Sequence, residues 1–201
     1  MFRLDNILED WAAIYSPLSY DPETRKSFFR MSLIDEESYF IRNFASMPSP
    51  CVAFPSHVDG TMIPGDPKSM SYTFRIYFLV KQENERLKTN LLDEVAATEA
   101  RYRTDAMVQD LLNFLSALIH TAGSGSLPSE AASLPDKLRG YILRTSLDDP
   151  ANRAALRGFR LTEAQWDTIP AKFGGWQICC LTIEQRVPRN ICIDPGRYKL
   201  E

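Results

Sequence analysis

Two segments of the chain repeat apolar residues with the period of an α-helix. Residues Phe2 to Ile14 place apolar side chains on one side of a helix, and Pro17 then ends the run. From Leu91 to Thr121 there is neither proline nor glycine for 31 residues, and an apolar helical stripe continues throughout. At 1.5 Å per residue this second helix would be about 45 Å long, more than a small domain needs to cover a sheet. We therefore expect part of it to project or to pack on a neighbouring chain.

Two other segments alternate apolar and polar residues, as half-buried strands do. Ser49–His57 and Ser69–Gln82 predict a β-ribbon, and their connection, residues 58–68, contains the Asp-Gly, Pro-Gly and Asp-Pro steps typical of turns. One face of the second run carries Met70, Tyr72, Phe74, Ile76, Phe78 and Val80; the other carries Ser71, Thr73, Arg75, Tyr77, Leu79 and Lys81. One face must belong to the core, and the other is amphipathic enough to meet water or a partner.

Shorter patterns predict the remaining elements. Residues 25–33 alternate well enough for a strand, and the acidic start of residues 35–44 favours a second short helix. An Asp-Pro start and a closing glycine predict a two-turn helix over residues 149–158. Residues 159–166 and 174–185 have the composition of two late strands.

Two segments have the composition of connections. Residues 122–135, a Gly/Ser/Pro-rich stretch, predict a flexible arm, and residues 186–201 predict an extended C-terminal tail. The part after the arm is too short and too rich in loops to promise a core of its own. We therefore expect residues 1–201 to form a single α+β domain. Its mainly antiparallel sheet, with a long β-ribbon, would be packed by the short N-terminal helix and the long central helix.

Composition and charge exclude some classes of function. The formal net charge is −3, and neither half of the chain has a basic excess of the kind that proteins binding the outside of nucleic acids show. No run approaches the roughly 18 consecutive apolar residues that a membrane span needs. The N-terminus has acidic residues where a signal peptide would have its apolar segment, so we expect the protein to stay in the cytoplasm.

The adjacent cysteines Cys179 and Cys180 raise the question of a redox or metal site. The chain has only two further cysteines, Cys51 and Cys192, and no C-x-x-C spacing. In a strand, neighbouring side chains point to opposite faces, which is poor geometry for chelating one metal or for forming a disulfide. We predict that both thiols of the pair are unpaired and largely buried.

The other candidate chemistry is a small group of residues in the predicted ribbon. His57 and Asp59 would share a face if the strand continued, and Asp66 follows in the same connection. An imidazole and carboxylates can begin a metal or general-base site. The chain has no H-E-x-x-H, phosphate-binding loop, dinucleotide fingerprint or nucleophile elbow to support such a site.

The mixed face of the long strand is the candidate interface. Arg75 and Tyr77 lie in the middle of the most aromatic segment, and Leu79 continues the same face. Arginine and tyrosine are enriched at protein interfaces. This face is therefore either a contact surface, formed by Arg75, Tyr77 and Leu79, or simply exposed to solvent.

The order of the elements resembles a known family. The phrases "RKSFFR", "RNFASMPSPCV", "YTFRIYFLVKQ" and "FGGWQI", with a long helix before the last of them, are similar to small structural proteins of tailed phages and prophages of Bacteroides-type bacteria. The closest functional analogue is the tail terminator or tail-completion family at the neck–tail junction. The resemblance extends over residues 25–185, and the arm at 122–135 and the helical insertion near 136–158 depart from its smaller members.

The resemblance implies an α+β subunit that forms a homo-oligomeric ring of six copies in the virion. The ring would cap the tail tube, join it to the neck and head proteins, and let DNA pass without specific binding. It implies no enzymatic activity, no catalytic residues, no cofactor and no metal, and assembly in the cytoplasm of the bacterial host. Two alternatives stay open: a small metal-dependent or hydrolytic enzyme centred on His57 and Asp59, and a cytoplasmic adaptor that binds one protein partner.

Overall fold

The computed structural model describes residues 4–18, 23, 27–31, 46–55, 59–63, 65–82, 94–169 and 175–188. The helices are α1 (Leu4–Ile14), α2 (Glu94–Ser124), α3 (Asp136–Leu147) and α4 (Pro150–Leu156). The strands are β1 (Phe28–Met31), β2 (Cys51–Pro55), β3 (Asp59–Ile63), β4 (Asp66–Lys81), β5 (Phe159–Ile169) and β6 (Trp176–Pro188). The described part of the chain is thus an α+β fold with one mainly antiparallel sheet and one long central helix.

Strands β4 and β6 form the centre of the sheet. They are antiparallel over 13 residue pairs, from Ser69 opposite Pro188 to Lys81 opposite Trp176. β2 flanks β4 and β5 flanks β6, both antiparallel, and β1 extends the β2 edge in parallel. The many aromatic and β-branched residues of β4 and β6 suit these central positions, because such side chains pack well on a pleated surface.

The connection predicted to consist of turns contains a strand. β3 pairs with the first half of β4, with Asp59 opposite Thr73 and Ile63 opposite Asp66. The reversal falls at Gly65, whose φ of 79° lies in the left-handed region that glycine adopts without strain. β4 begins at Asp66 and not at Ser69 as predicted, but four of the five β3 residues pair with residues 70–73, inside the predicted strand. The edge of β4 thus makes a strand of a segment whose composition is turn-like.

The main core lies between the helices and one face of the sheet. Ile76, Phe78 and Val80 of β4 are fully buried there, which confirms the predicted alternation for this part of the strand. The helical layer contributes Ile7, Leu8, Trp11, Ala12, Val108, Leu111, Leu115, Leu118, Ile142 and Leu156. Burial of a large apolar side chain is worth about 1.5–3 kcal/mol, so this layer fixes the helices on the sheet.

A glycine directly after Ser124 ends the long helix α2. Gly125 has a φ of 82°, and its N–H donates to the Thr121 carbonyl at 2.9 Å, which is the left-handed cap that closes many helices. Inside the helix, the buried hydroxyls of Thr104 and Thr121 each donate to the carbonyl four residues earlier, at 2.7 Å. None of the described helices combines the length and apolar character needed to cross a membrane.

Two of the shorter predicted elements occur in the structure, and the predicted arm is partly helical. Strand β1 lies within the predicted 25–33, and α4 begins at Pro150 as the sequence indicates. In residues 122–135, α2 continues to Ser124 and a 3₁₀ turn, Ser129–Ser133, follows with Ala131 buried. The helix predicted over 35–44 and the tail beyond 188 lie outside the described residues.

Candidate functional site

The predicted contact residues lie on the sheet face opposite the helices. The register places Arg75 opposite Thr182, Tyr77 opposite Cys180 and Leu79 opposite Ile178. Arg75 is exposed and Tyr77 is half-buried. Leu79 is 0% exposed, so in this structure only the first two of the three predicted residues offer surface to a partner.

This outer face changes character along the strands. At one end a second apolar cluster is formed by Met47, Cys51, Ala53, Leu79, Trp176 and Ile178. At the other end the face is polar: the Ser71 hydroxyl donates to Glu184 Oε1 at 2.5 Å, and Arg186 Nε lies 3.8 Å from the same oxygen. The exposed Arg75 lies between the two ends, where an apolar partner surface and a charged one could both be contacted.

The residues of the hypothetical enzyme site are only partly described. His57 lies outside the described residues. Asp59 and Asp66 are at opposite ends of the β3–β4 hairpin, because Asp66 pairs with Ile63, four residues along β3. At about 3.3 Å per strand residue this separates the two backbone positions by roughly 13 Å. In the described part of the chain no group of three His, Cys, Asp or Glu side chains could hold a metal ion.

The two adjacent cysteines face opposite sides of β6, as the alternation predicts. Cys179 is a free thiol, fully buried in the main core, and burial is the largest cause that raises its pKa to about 12. Cys180 lies on the outer face and is only half-buried, so the prediction of burial is confirmed for Cys179 alone. A thiol with such a raised pKa is inert at neutral pH, since the thiolate is the reactive form.

A groove lies on the helical side of the described part of the chain. It has a volume of about 870 Å³ and lies between the end of α1, the C-terminal half of α2, the 3₁₀ turn and the start of α3. Its walls are mainly apolar: Trp11, Ile14, Phe114, Ala117, Ala131, Leu134, Leu138 and Ile142. Asp110, Asn113, His120 and Glu130 bring polar groups to it. A volume and lining of this kind suit an apolar or amphipathic ligand or side chain.

Two tyrosine–aspartate hydrogen bonds hold α1 against the other helices beside this groove. Tyr15 Oη donates to Asp110 Oδ2 at 2.7 Å, and Tyr141 Oη donates to Asp10 Oδ2 at 2.8 Å. Burial, and then the neighbouring carboxylate, raise the pKa of both phenols well above the usual value. Both tyrosines are therefore neutral donors at physiological pH, and they fix one wall of the groove.

Glu130 and His120 lie at the far end of the groove. The pKa of Glu130 is lowered by a backbone hydrogen bond, by the Ser129 hydroxyl and by the charge of His120. Glu130 is thus an anion at neutral pH. The sequence patterns did not predict the groove. Its residues come from four separate segments, and the periodicity within one segment does not indicate which other segments pack against it.

The chain was compared with known families and proteins. No family model matches it, and no curated protein is significantly similar to it in sequence.

Proposed function

We propose that the chain is a non-enzymatic structural subunit of a phage tail or neck, which assembles with copies of itself into a ring. In this proposal the ring caps the tail tube and joins it to the neck and head proteins. The resemblance in element order, residues 25–185, motivates the assignment. The main support for a contact surface comes from the outer sheet face, where Arg75 is exposed beside the half-buried Tyr77.

The chemistry of this face supports a role in protein contact. Its apolar end is already buried in the cluster that includes Met47, whereas the surface around Arg75 alternates hydroxyl, aromatic and charged groups. Such mixed surfaces with arginine and tyrosine are typical of interfaces. In this proposal β2 and β4, which lie within the two segments of the predicted ribbon, present the face to the neighbouring subunit, and α1 supports the sheet from behind.

The charge of the chain is compatible with a channel for DNA. A protein that grips the phosphate backbone needs clustered lysine and arginine, and its affinity then depends steeply on salt. With a net charge of −3 and no basic excess in either half, a ring of such subunits would let DNA slide.

Electron microscopy of the purified chain tests the proposal. We expect class averages that show rings with a central hole. The mass in solution should be a whole multiple of the 22.9 kDa of one chain and correspond to more than two copies. Arg75→Glu should abolish the rings, whereas Arg144→Glu, which reverses an exposed charge on α3, should leave them intact. A chain that never exceeds a monomer or dimer at high concentration, and that is missing from purified virions, would refute the assignment.

A further inference from the structure

A second surface of the protein is apolar and unusually exposed: the first turns of α2. Val95 is 75% exposed and Tyr102 is 70% exposed, and Thr98 and Glu99 lie between them on the same side. We call these four residues the ridge. An exposed aromatic and an exposed aliphatic residue seven positions apart form an apolar edge along a helix, which is costly to leave in water.

The groove contains the other strongly exposed apolar residue. Ile14 is 50% exposed at its rim, where α1 ends. Four large apolar side chains are exposed in the described part of the chain, and the ridge and the groove account for three of them, Leu143 being the fourth. A convex apolar surface and a concave one thus occur in the same molecule, with similar chemistry.

Ridge and groove lie on one side of the same helix. In α2, residues three, four or seven positions apart share a face, so the ridge continues through Ala106 to Asn113 and Ala117 at the floor of the groove. If two copies of α2 pack antiparallel with Ala106 opposite Ala106, Tyr102 comes opposite Asp110 and Val95 opposite Ala117. One arrangement therefore places each ridge in the other copy's groove.

Charge favours this antiparallel arrangement. In this arrangement the ridge carboxylate Glu99 faces the uncharged Asn113, and Asp110 faces the uncharged Tyr102, so no like charges meet. A parallel, in-register pair would instead place Glu99 against Glu99 and Asp110 against Asp110. Like charges at such positions repel, whereas opposite charges attract.

We propose that two copies of the chain pair through antiparallel α2 helices, with the ridge of each in the groove of the other and Ala106 at the two-fold axis. Such an interface is self-complementary and closes with two copies. The proposal goes beyond the proposed function and does not rest on it, because a pair that closes on itself uses a surface different from the outer sheet face.

A disulfide across the two-fold axis tests the pairing directly. Packed helix axes are about 8–10 Å apart and the Cα radius is about 2.3 Å, which leaves about 3.4–5.4 Å between the facing Cα atoms. The upper part of this range matches the Cα separations at which disulfides form. In a Cys180→Ser, Cys192→Ser background, Ala106→Cys should yield a covalent dimer on mild oxidation. Ala154→Cys, at an exposed alanine on α4, is the matched control and should not.

Further variants separate the possible outcomes. Val95→Cys alone should not cross-link, because antiparallel packing holds the two Val95 positions far apart; a dimer from this variant would indicate a parallel pair and refute the proposal. By sedimentation, Tyr102→Ser should weaken self-association at least tenfold, and Leu143→Ser should not. Absence of the Ala106→Cys dimer in a folded protein would also overturn the proposal, even if rings form; a dimer without rings would support it and contradict the proposed function.

Discussion

Replacing Gly158 by alanine should destabilise the protein, because the structure leaves no space for a β-carbon there. Gly158 lies in the turn between α4 and β5. A β-carbon at this position would stand 1.9 Å from the carbonyl oxygen of Arg186. That oxygen belongs to the backbone of β6 and cannot rotate away as a side chain would. The same turn is tied to β6 by the Arg186 N–H, which donates to the Gly158 carbonyl at 2.9 Å.

The expected loss of stability follows from these contacts. The added methyl group must push the turn away from β6, and forced overpacking of this kind costs about 1–3 kcal/mol. Separation of the two segments also removes the hydrogen bond between Arg186 and Gly158, worth about 1 kcal/mol. We therefore expect Gly158→Ala to lower the free energy of unfolding by about 2–4 kcal/mol. For a chain of this size the melting temperature should fall by roughly 5–15 °C.

The matched control is another glycine of the same helical region. Gly140 lies inside α3, is exposed, and a β-carbon there would meet nothing within 4 Å. Gly140→Ala should raise the free energy of unfolding by about 0.5–1 kcal/mol, because alanine loses less backbone entropy in a helix. Urea denaturation followed by circular dichroism measures both variants. If Gly158→Ala stays within about 0.5 kcal/mol of the wild type, the range of an ordinary surface substitution, the steric argument is wrong.

Three further outcomes are expected. Tyr15→Phe removes the hydrogen bond to Asp110 and should lower the free energy of unfolding by about 0.5–1.5 kcal/mol, measured by urea denaturation; an unchanged value would show that the bond does not hold α1. Burial raises the pKa of Cys179 from 9.0 to about 12, so the folded state keeps this proton longer than the unfolded state does. Stability should therefore be complete below about pH 9 and fall as the pH rises above it; a flat profile between about pH 9 and 11 would contradict this. Peptide mapping after maleimide treatment of the native chain should find Cys180 modified before Cys179, and the reverse order would place the helices on the wrong face of the sheet.

The periodic patterns correctly predicted the strands and helices that are buried on one side. The alternation in β4 separates Ile76, Phe78 and Val80, which lie in the main core, from the exposed Arg75. The same rule places Cys179 and Cys180 on opposite faces of β6, and the absence of proline and glycine predicts the long α2. These features are local, because burial of one side of a strand or helix imposes its period on the sequence.

Composition was a weaker guide where a partner segment decides the structure. Residues 59–63 contain turn-forming types, yet they pair as β3 because residues 66–73 of β4 provide an edge for them. Cys180 and Leu79 follow the same alternation on the outer face, but Leu79 is fully buried and Cys180 is not. What covers each position along that face depends on other segments, which the alternation of one strand does not encode.

The α+β class, the long central helix and the faces of the central strands follow from the sequence alone, since each depends on residues close together in the chain. That Trp11, Phe114, Leu134 and Leu138 meet around one groove, and that the ridge at Val95 and Tyr102 shares a helix face with it, emerges only from the folded chain. A groove is formed by the packing of separate elements, and the contacts that stabilise this packing join residues distant in sequence.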